Sequence, residues 1–322
     1  MSIEVKQYNH KTGVTEPGVY EIPMDVYHLN PVADGYSVSS SGLRTIISQS
    51  LRHYWDASYL NPDQEEDEQS PYMILGRAAH HLLLGESGFS KKFALQPEEA
   101  PDSKGVVGPW HGSKTFCKKW VAARAEEGRA VITPEMFKNI KGMAKGLGAN
   151  PHVQQGMLNG LVEKSFFWRD KETGLWLKIR PDAVPLADGI SVDLKVVTDA
   201  SRIGVQRSLS DTNLHIQAAL VGMGFEEVLG WPRNDANHWL FFLESKRPHC
   251  CVPQQIDERA IYYARCEIRA TLRKLAEAHA KNEWPGYEDR VGDTLYLPKW
   301  RVADYEERMK LGLLADEGAR AA

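Results

Sequence analysis

Near residue 160 the pattern of apolar and polar positions changes character. Before it, apolar residues recur mostly at helical spacing; after it, short alternating or continuous apolar runs signal strands. In SVSSSGLRTIISQSLRHYWDASYL (37–60), Ser39, Ser40 or Ser41 caps a helix. Its apolar positions are Leu43, Ile46, Ile47 and Leu51, and His53-Tyr54-Trp55 closes it. A second helix covers about 72–84 (YMILGRAAHHLLL), where Gly76, Ala78 and Ala79 permit close packing. An amphipathic helix follows over 113–127, after the Pro/Gly-rich stretch 97–112. Thr133-Pro134-Glu135 then supplies the cap, first-turn proline and early acid of another helix, running to about Leu147. Residues 1–36 are polar and interrupted by Pro17, Pro23 and Pro31, with one short strand expected at 18–22. The acidic run 61–70 (NPDQEEDEQS) reads as a solvated loop.

Beyond residue 160, Lys164–Trp168 and Leu175–Arg180 flank RDKETG (169–174), a polar turn ending in glycine, so a hairpin is expected. Ser191–Val197 is a third strand, followed by a helix at about 214–223 and strands at 239–244 and 251–256. A long charged helix over 257–282 is stopped by Trp284-Pro285-Gly286-Tyr287, and 301–322 is a further helical candidate. No repeat and no Pro/Ser-rich linker divides the chain. The expected organisation is an N-terminal extension (1–36), a single domain (37–290) and a C-terminal tail (291–322). Within that domain the helical portion spans 37–161 and the strand-rich core 162–290.

Composition changes this picture little. Of 322 residues, 42% are apolar and 25% charged, enough for a sizeable core and too apolar for global disorder. The formal net charge of −4 gives no overall basic signature, so any nucleic-acid surface has to be local. The four cysteines (Cys117, Cys250, Cys251, Cys266) form no CxxC pair, and their spacing suits neither zinc nor an iron–sulfur cluster. Free thiols in a reducing compartment are expected. The N-terminus lacks the apolar core of a signal peptide, and no stretch nears the roughly 18 apolar residues of a membrane span. A cytoplasmic protein without a membrane partner is expected.

Candidate chemistry concentrates in Glu163–Val197. Asp182 follows Arg180-Pro181 at the end of one apolar run, and Asp193 and Lys195 lie two apart in the next. Residues i and i+2 of a strand share a face. Carboxylate and amine therefore project together, with Val192, Leu194 and Val196 turned to the core. A hard divalent cation requires oxygen ligands; Asp182, Asp193 and the backbone carbonyl of Leu194 supply three. Lys195 would stand beside the water such a metal activates, or balance charge on a phosphate. A DxK triplet on a strand is commonly a surface edge. Here Asp193 lies among Ile190, Val192, Leu194, Val196 and Val197, where an unpaired carboxylate is costly. Helical periodicity does not decide whether His80 or His81 faces the sheet. Arg44, Arg52, His53, Lys178, Arg180, Arg202 and Arg207 flank these motifs as candidate phosphate contacts. Of these, Arg180 is singled out because it immediately precedes the Asp182 turn.

In order along the chain stand SVSSSGLR (37–44), LGRAAHHLLLGE (75–86), EKSFFWRDKETGLWLKIRPD (163–182), VDLKVVTDAS (192–201) and HIQAALV (215–221). The ordered set, with WPGY at 284–287, covers roughly residues 20–290. It resembles the PD-(D/E)XK nucleases, most closely the RecE-like exonucleases (the exonuclease VIII C-terminal nuclease group). The resemblance implies an α/β fold with a restriction-endonuclease-like core: a central mixed sheet flanked by helices, plus a helical N-terminal portion. It implies that Asp182, Asp193 and His80 hold the metal, that Lys195 is the catalytic lysine, and that Gln217 orients the site or contacts DNA. Glu163 matches an acidic position of the outer shell. Val221 stands where the group has an aromatic residue, so the resemblance does not carry over a stacking or hydroxyl role there. The implied activity is Mg²⁺-dependent digestion of linear double-stranded DNA, with Mn²⁺ as a substitute ion. Digestion would run 5′-to-3′ and leave 3′ single strands for a RecT-like single-strand annealing protein. A homo-oligomer, such as a ring-shaped tetramer around the DNA, is implied as well. An endonuclease or single-strand nuclease on the same core, or an inactive DNA-binding scaffold, are the alternative readings.

Overall fold

The structure is a computed structural model that describes residues 3–64, 69–185, 189–231, 238–287 and 294–314. The N-terminal stretch forms β1 (Val5–Gln7), β2 (Gly18–Glu21), α1 (Met24–His28) and β3 (Ser37–Ser39). Next come α2 (Ser40–Ser48), α3 (Leu51–Asp56), α4 (Pro71–Leu83), α5 (Phe89–Lys92), β4 (Phe93–Leu95), β5 (Glu99–Pro101) and β6 (Val107–Pro109). Then follow α6 (Thr115–Glu126), β7 (Ala130–Ile132), α7 (Pro134–Gly148) and α8 (Pro151–Gln154). The strand-rich half comprises β8 (Leu161–Val162), β9 (Ser165–Arg169), β10 (Trp176–Ile179), β11 (Ala183–Val184), β12 (Ser191–Val197), α9 (Arg202–Asp211) and α10 (Leu214–Leu229). It ends with β13 (His238–Glu244), β14 (Cys251–Gln255), α11 (Glu258–Lys281) and α12 (Lys299–Lys310). The chain divides into two units, Met1–Pro285 and Gly286–Ala322, the second containing α12.

Local signals act where they were read. Thr133 accepts from Met136 N–H at the start of α7, and Ser70 from Met73 N–H at the start of α4. The single helix expected over 39–55 is two. Ser39 caps α2, the helix ends at Gln49, and the Ser50 side chain accepts from His53 N–H to start α3. A serine can end one helix and begin another because its hydroxyl competes with the backbone for the same N–H groups. The acidic run 61–70 lies partly outside the described residues, at 65–68.

The expected hairpin is β9–β10, paired antiparallel with Phe167 opposite Lys178. Among the described residues the strands of the expected core lie in two five-stranded sheets. The first has the order β1-β2-β9-β10-β3, so strands from residues 1–36 pair directly with the hairpin. The second has the order β14-β13-β12-β11-β8 and is mixed, with β12 parallel to β13 and antiparallel to β11. Helices α2, α10 and α11 bury a large apolar core with both sheets, including Leu43, Phe166, Trp168, Ile216, Leu220, Phe242 and Leu272. The opposite face of the second sheet (Val192, Leu194, Phe241, Leu243) packs on α4 and α7 through Ala78, Ala79, Ile140 and Met143. One passage of chain, Arg180-Pro181-Asp182, carries the backbone from β10 in the first sheet to β11 in the second.

Close approach of helix and sheet depends on small residues at two places. A Cβ on Gly224 of α10 would stand 2.7 Å from Ile179 Cδ1 and 2.8 Å from Trp168 Cζ3. Likewise, the His249 ring sits where a Cβ of Gly142 on α7 would be, 2.2 Å from Nε2. Trp168 and Trp176 are core residues, whereas Trp110 and Trp120 pack edge to face against each other at 5.5 Å. Among the described residues no helix is long and apolar enough to cross a membrane.

Candidate active site

The passage between the sheets is held before any chemistry is considered. Arg180 donates from Nε to Ser165 Oγ (2.8 Å) and from Nη2 to the Ile22 carbonyl (2.5 Å), and its guanidinium stacks over Tyr27 at 4.5 Å. Lys178, buried on β10, donates to the carbonyls of Tyr27 (2.7 Å) and Leu29 (2.6 Å). Two cations from the motif region therefore pin the N-terminal stretch instead of facing solvent. Burial, with Arg180 adding to it, brings the Lys178 ammonium down to about 7.

Asp182 emerges from this anchored turn. Its Oδ2 accepts the Leu194 N–H at 2.5 Å, and its own N–H lies 3.4 Å from Asp193 Oδ1. Strand β12 presents Asp193, which is 1% exposed, on the face that also carries Ser191 and Lys195. Helix α4 packs on the opposite face of this strand, anchored where Tyr72 donates to the Val196 carbonyl at 2.5 Å. Its two histidines diverge. His80 Nδ1 lies 3.3 Å from Asp182 Oδ2. His81 turns into the core against Phe89 and Phe93, its Nδ1 3.0 Å from Glu86 Oε2.

Glu163 comes closer than an outer-shell position requires. It precedes β9 with φ 53°, left-handed backbone that a non-glycine residue adopts only when its surroundings demand it. Its N–H donates to the Asp182 carbonyl at 3.1 Å. One donor atom each from His80, Glu163 and Asp182 fall within 4.8 Å of one another, a nitrogen and two carboxylate oxygens around a common space. Nothing in the sequence reports the φ that aims Glu163 there.

Asp193 lies against this cluster and has donors of its own. Gln217 Nε2 on α10 donates to its Oδ2 at 2.6 Å, and His238 Nε2 on β13 lies 3.1 Å from the same oxygen. His238 was not singled out in the sequence. It is the first residue of its strand and meets Asp193 only through a pairing 47 residues long, Ser191 with His238.

The titratable groups in this space shift one another. Burial, then the carboxylates of Asp182 and Glu86, push the Glu163 carboxyl up to about 8. For Asp193 burial acts the same way, but Lys195, His238 and His80 outweigh it and hold the carboxyl below the usual range. For His80, burial favours the neutral ring, yet the Asp182 carboxylate prevails and raises it. Carboxylates crowded until one prefers its proton are an arrangement that a divalent cation would relieve. The two carboxylate oxygens are donors of the kind Mg²⁺ and Mn²⁺ take, and the imidazole nitrogen is a softer donor beside them.

The flagged basic residues separate into two groups. Lys178 and Arg180 are committed internally, and Arg44 Nη1 donates to the Thr212 carbonyl at 3.0 Å. Arg52, Arg202 and Arg207 are exposed, Arg52 lying over Trp55 at 5.0 Å. Arg52 also lines an open cavity of about 1070 Å³ with Ser39, Ser41, Tyr59, Met73 and Lys178. Met73 belongs to the helix that carries His80.

Comparison with known proteins bears on this arrangement. Residues 39–291 match the model of a family described as "PDDEXK-like domain of unknown function (DUF3799)". The fold resembles a crystal structure from Eubacterium rectale described as that of a "Putative exonuclease". The TM-score is 0.52 at 13% identity, covering 81% of this chain and 89% of that one, so the likeness is one of fold. No curated protein matches the chain.

Proposed function

Because this chain belongs to the PDDEXK-like (DUF3799) family of the PD-(D/E)XK nuclease superfamily, we propose that it is a metal-dependent deoxyribonuclease. The observation that carries this reading is the meeting of His80, Glu163 and Asp182 donor atoms within 4.8 Å, beside Asp193 and Lys195. In the finer reading it is a Mg²⁺-dependent exonuclease on linear double-stranded DNA, digesting 5′-to-3′. The 3′ strands it leaves would pass to a single-strand annealing protein, and the enzyme would work as a homo-oligomer. The order of motifs that resembles the RecE-like group supports that choice.

A bound divalent cation supplies a nucleophile from water at neutral pH and neutralises charge on the phosphate. His80, Glu163 and Asp182 would hold it, with Asp193 and the Leu194 backbone carbonyl as further ligands. Asp182 is fixed for this by the Leu194 N–H, so its free lone pairs face the cluster. Asp193 keeps its ionised form because Lys195 and His238 favour it, and adds negative charge beside the cation. Lys195, on the same face of β12, places an ammonium where the scissile phosphate gathers charge. Gln217 holds the Asp193 carboxylate from the helix side.

The test is digestion of linear and closed circular duplex, each with Mg²⁺ or with EDTA. Mononucleotide release from linear DNA alone, abolished by Asp182→Ala, Asp193→Ala or Lys195→Ala in folded protein, is expected. Loss of one of these three side chains removes several kcal/mol of transition-state stabilisation, about a thousandfold in rate. Normal activity in any of the three overturns the site. Cutting of closed circles replaces exonuclease by endonuclease, and DNA binding without turnover leaves only a scaffold. Duplexes labelled at one 5′ or one 3′ end read the polarity.

A further inference from the structure

The proposed nuclease site contains a histidine that no motif points to. His238 is 4% exposed and stands at the start of β13, in parallel register with Ser191 of β12. Cross-strand partners share a face, and so do i and i+2 on one strand. Ser191, Asp193 and His238 therefore project to the same side of the second sheet. Ser191 Oγ lies 2.8 Å from His238 Nδ1, and His238 Nε2 lies 3.1 Å from Asp193 Oδ2. Ser191 and Asp193 are each 1% exposed, so water does not compete for these contacts.

The protonation pattern of this row follows from its acceptors. A carboxylate oxygen has no proton to give, so a lone pair on Nε2 facing it would be repelled. The favoured arrangement places the proton on Nε2, toward Asp193. That leaves Nδ1 as an acceptor, and the Ser191 hydroxyl is the donor that can fill it. Gln217 donates to the same Oδ2 from the opposite element, α10. The two side chains together restrain the carboxylate, and the other oxygen, Oδ1, faces the Asp182 backbone at 3.4 Å. Nε2 approaches Oδ2 closely but without hydrogen-bond geometry, so the Ser191 contact at Nδ1 is what fixes the ring beside Asp193.

We propose that His238, oriented by Ser191, is a positioning residue that sets the Asp193 carboxylate for divalent-cation binding. The inference rests on the metal-dependent reading of the site. It acts through Asp193 alone: His238 touches neither the cation nor the substrate. Partners behind a metal ligand typically govern affinity tenfold to a hundredfold.

The experiment measures Mn²⁺ affinity of the full chain by electron paramagnetic resonance of free Mn²⁺, with no DNA present. It compares the native protein, H238A, H238Q and S191A, with thermal melts in EDTA as a fold control. A second readout is kcat and KM on linear duplex DNA. H238A should bind Mn²⁺ about tenfold or more weakly and lose kcat with KM for DNA unchanged. H238Q should recover most of both, because its amide nitrogen reaches the place of Nε2 as a donor. S191A, which removes one oxygen, should fall between native and H238A. If H238A does not fold, S191A and H238Q decide: weaker binding in S191A supports positioning, and native affinity in both overturns it. Native affinity in a folded H238A overturns it too. A native protein that binds no Mn²⁺ sinks the metal reading itself, and this inference with it; one that binds Mn²⁺ and cuts DNA alongside an equal H238A sinks only the positioning role.

Discussion

At the residue scale, Glu163 carries the clearest electrostatic consequence. Its carboxyl is raised to about 8 from the ordinary 4.5, first by burial and then by Asp182 and Glu86. The native state thus prefers the protonated acid. The associated stability is fully present below the unfolded value and is lost as pH rises through about 8. In EDTA, E163Q should therefore melt at higher temperature than the native protein above pH 8, with the difference shrinking toward pH 5. Adding Mg²⁺ should raise the native melting temperature and leave E163Q much less changed. Equal pH profiles for the two would place the Glu163 carboxyl outside the cluster. Asp182, Asp193 and Lys195 stood out in the sequence because charge inside an apolar run is costly and visible. His80 and His81 could not be separated by spacing; the structure separates them by what each touches. Glu163 and His238 gave no comparable signal. The aim of the first depends on one left-handed φ, and the second meets its partner only through strand register.

At the element scale, capped helices and the β9–β10 hairpin were legible because their determinants lie within a few residues of one another. Thr133 before Pro134 and the RDKETG turn are such cases. The division of the strands into two sheets was not legible, since it depends on Arg180-Pro181-Asp182 leaving one ladder for another. Helix α9 was missed because it buries no residue and so shows little periodicity. The seat of α10 on the hairpin follows from Gly224, which leaves no space for a methyl group beside Trp168 and Ile179. Gly224→Ala should cost about 1–3 kcal/mol by overpacking, offset by up to about 1 kcal/mol of helix propensity. Chemical denaturation measures this. Stability at or above native would mean the helix is not pressed against those side chains.

At the scale of the whole molecule, residues 1–36 are integrated with the sheet they precede. Strand β2 pairs with β9, and Arg180 and Lys178 hold the carbonyls of Ile22, Tyr27 and Leu29. Removing residues 1–22 should strip β9 of one of its two partners and expose Phe167, giving an insoluble or strongly destabilised protein. A stable, fully active truncation would contradict that role. The fold brings the ends of two sheets, one helix and one strand entry together at Asp182, and the proposed DNA hydrolysis requires that meeting to seat a cation. The most direct test follows mononucleotide release from a linear duplex by native protein and by Asp182→Ala, across a Mg²⁺ titration starting from EDTA. Release should rise with Mg²⁺, be absent in EDTA, and be absent from a folded Asp182→Ala at any concentration. Digestion that proceeds in EDTA, or an Asp182→Ala protein as active as native, would contradict that requirement.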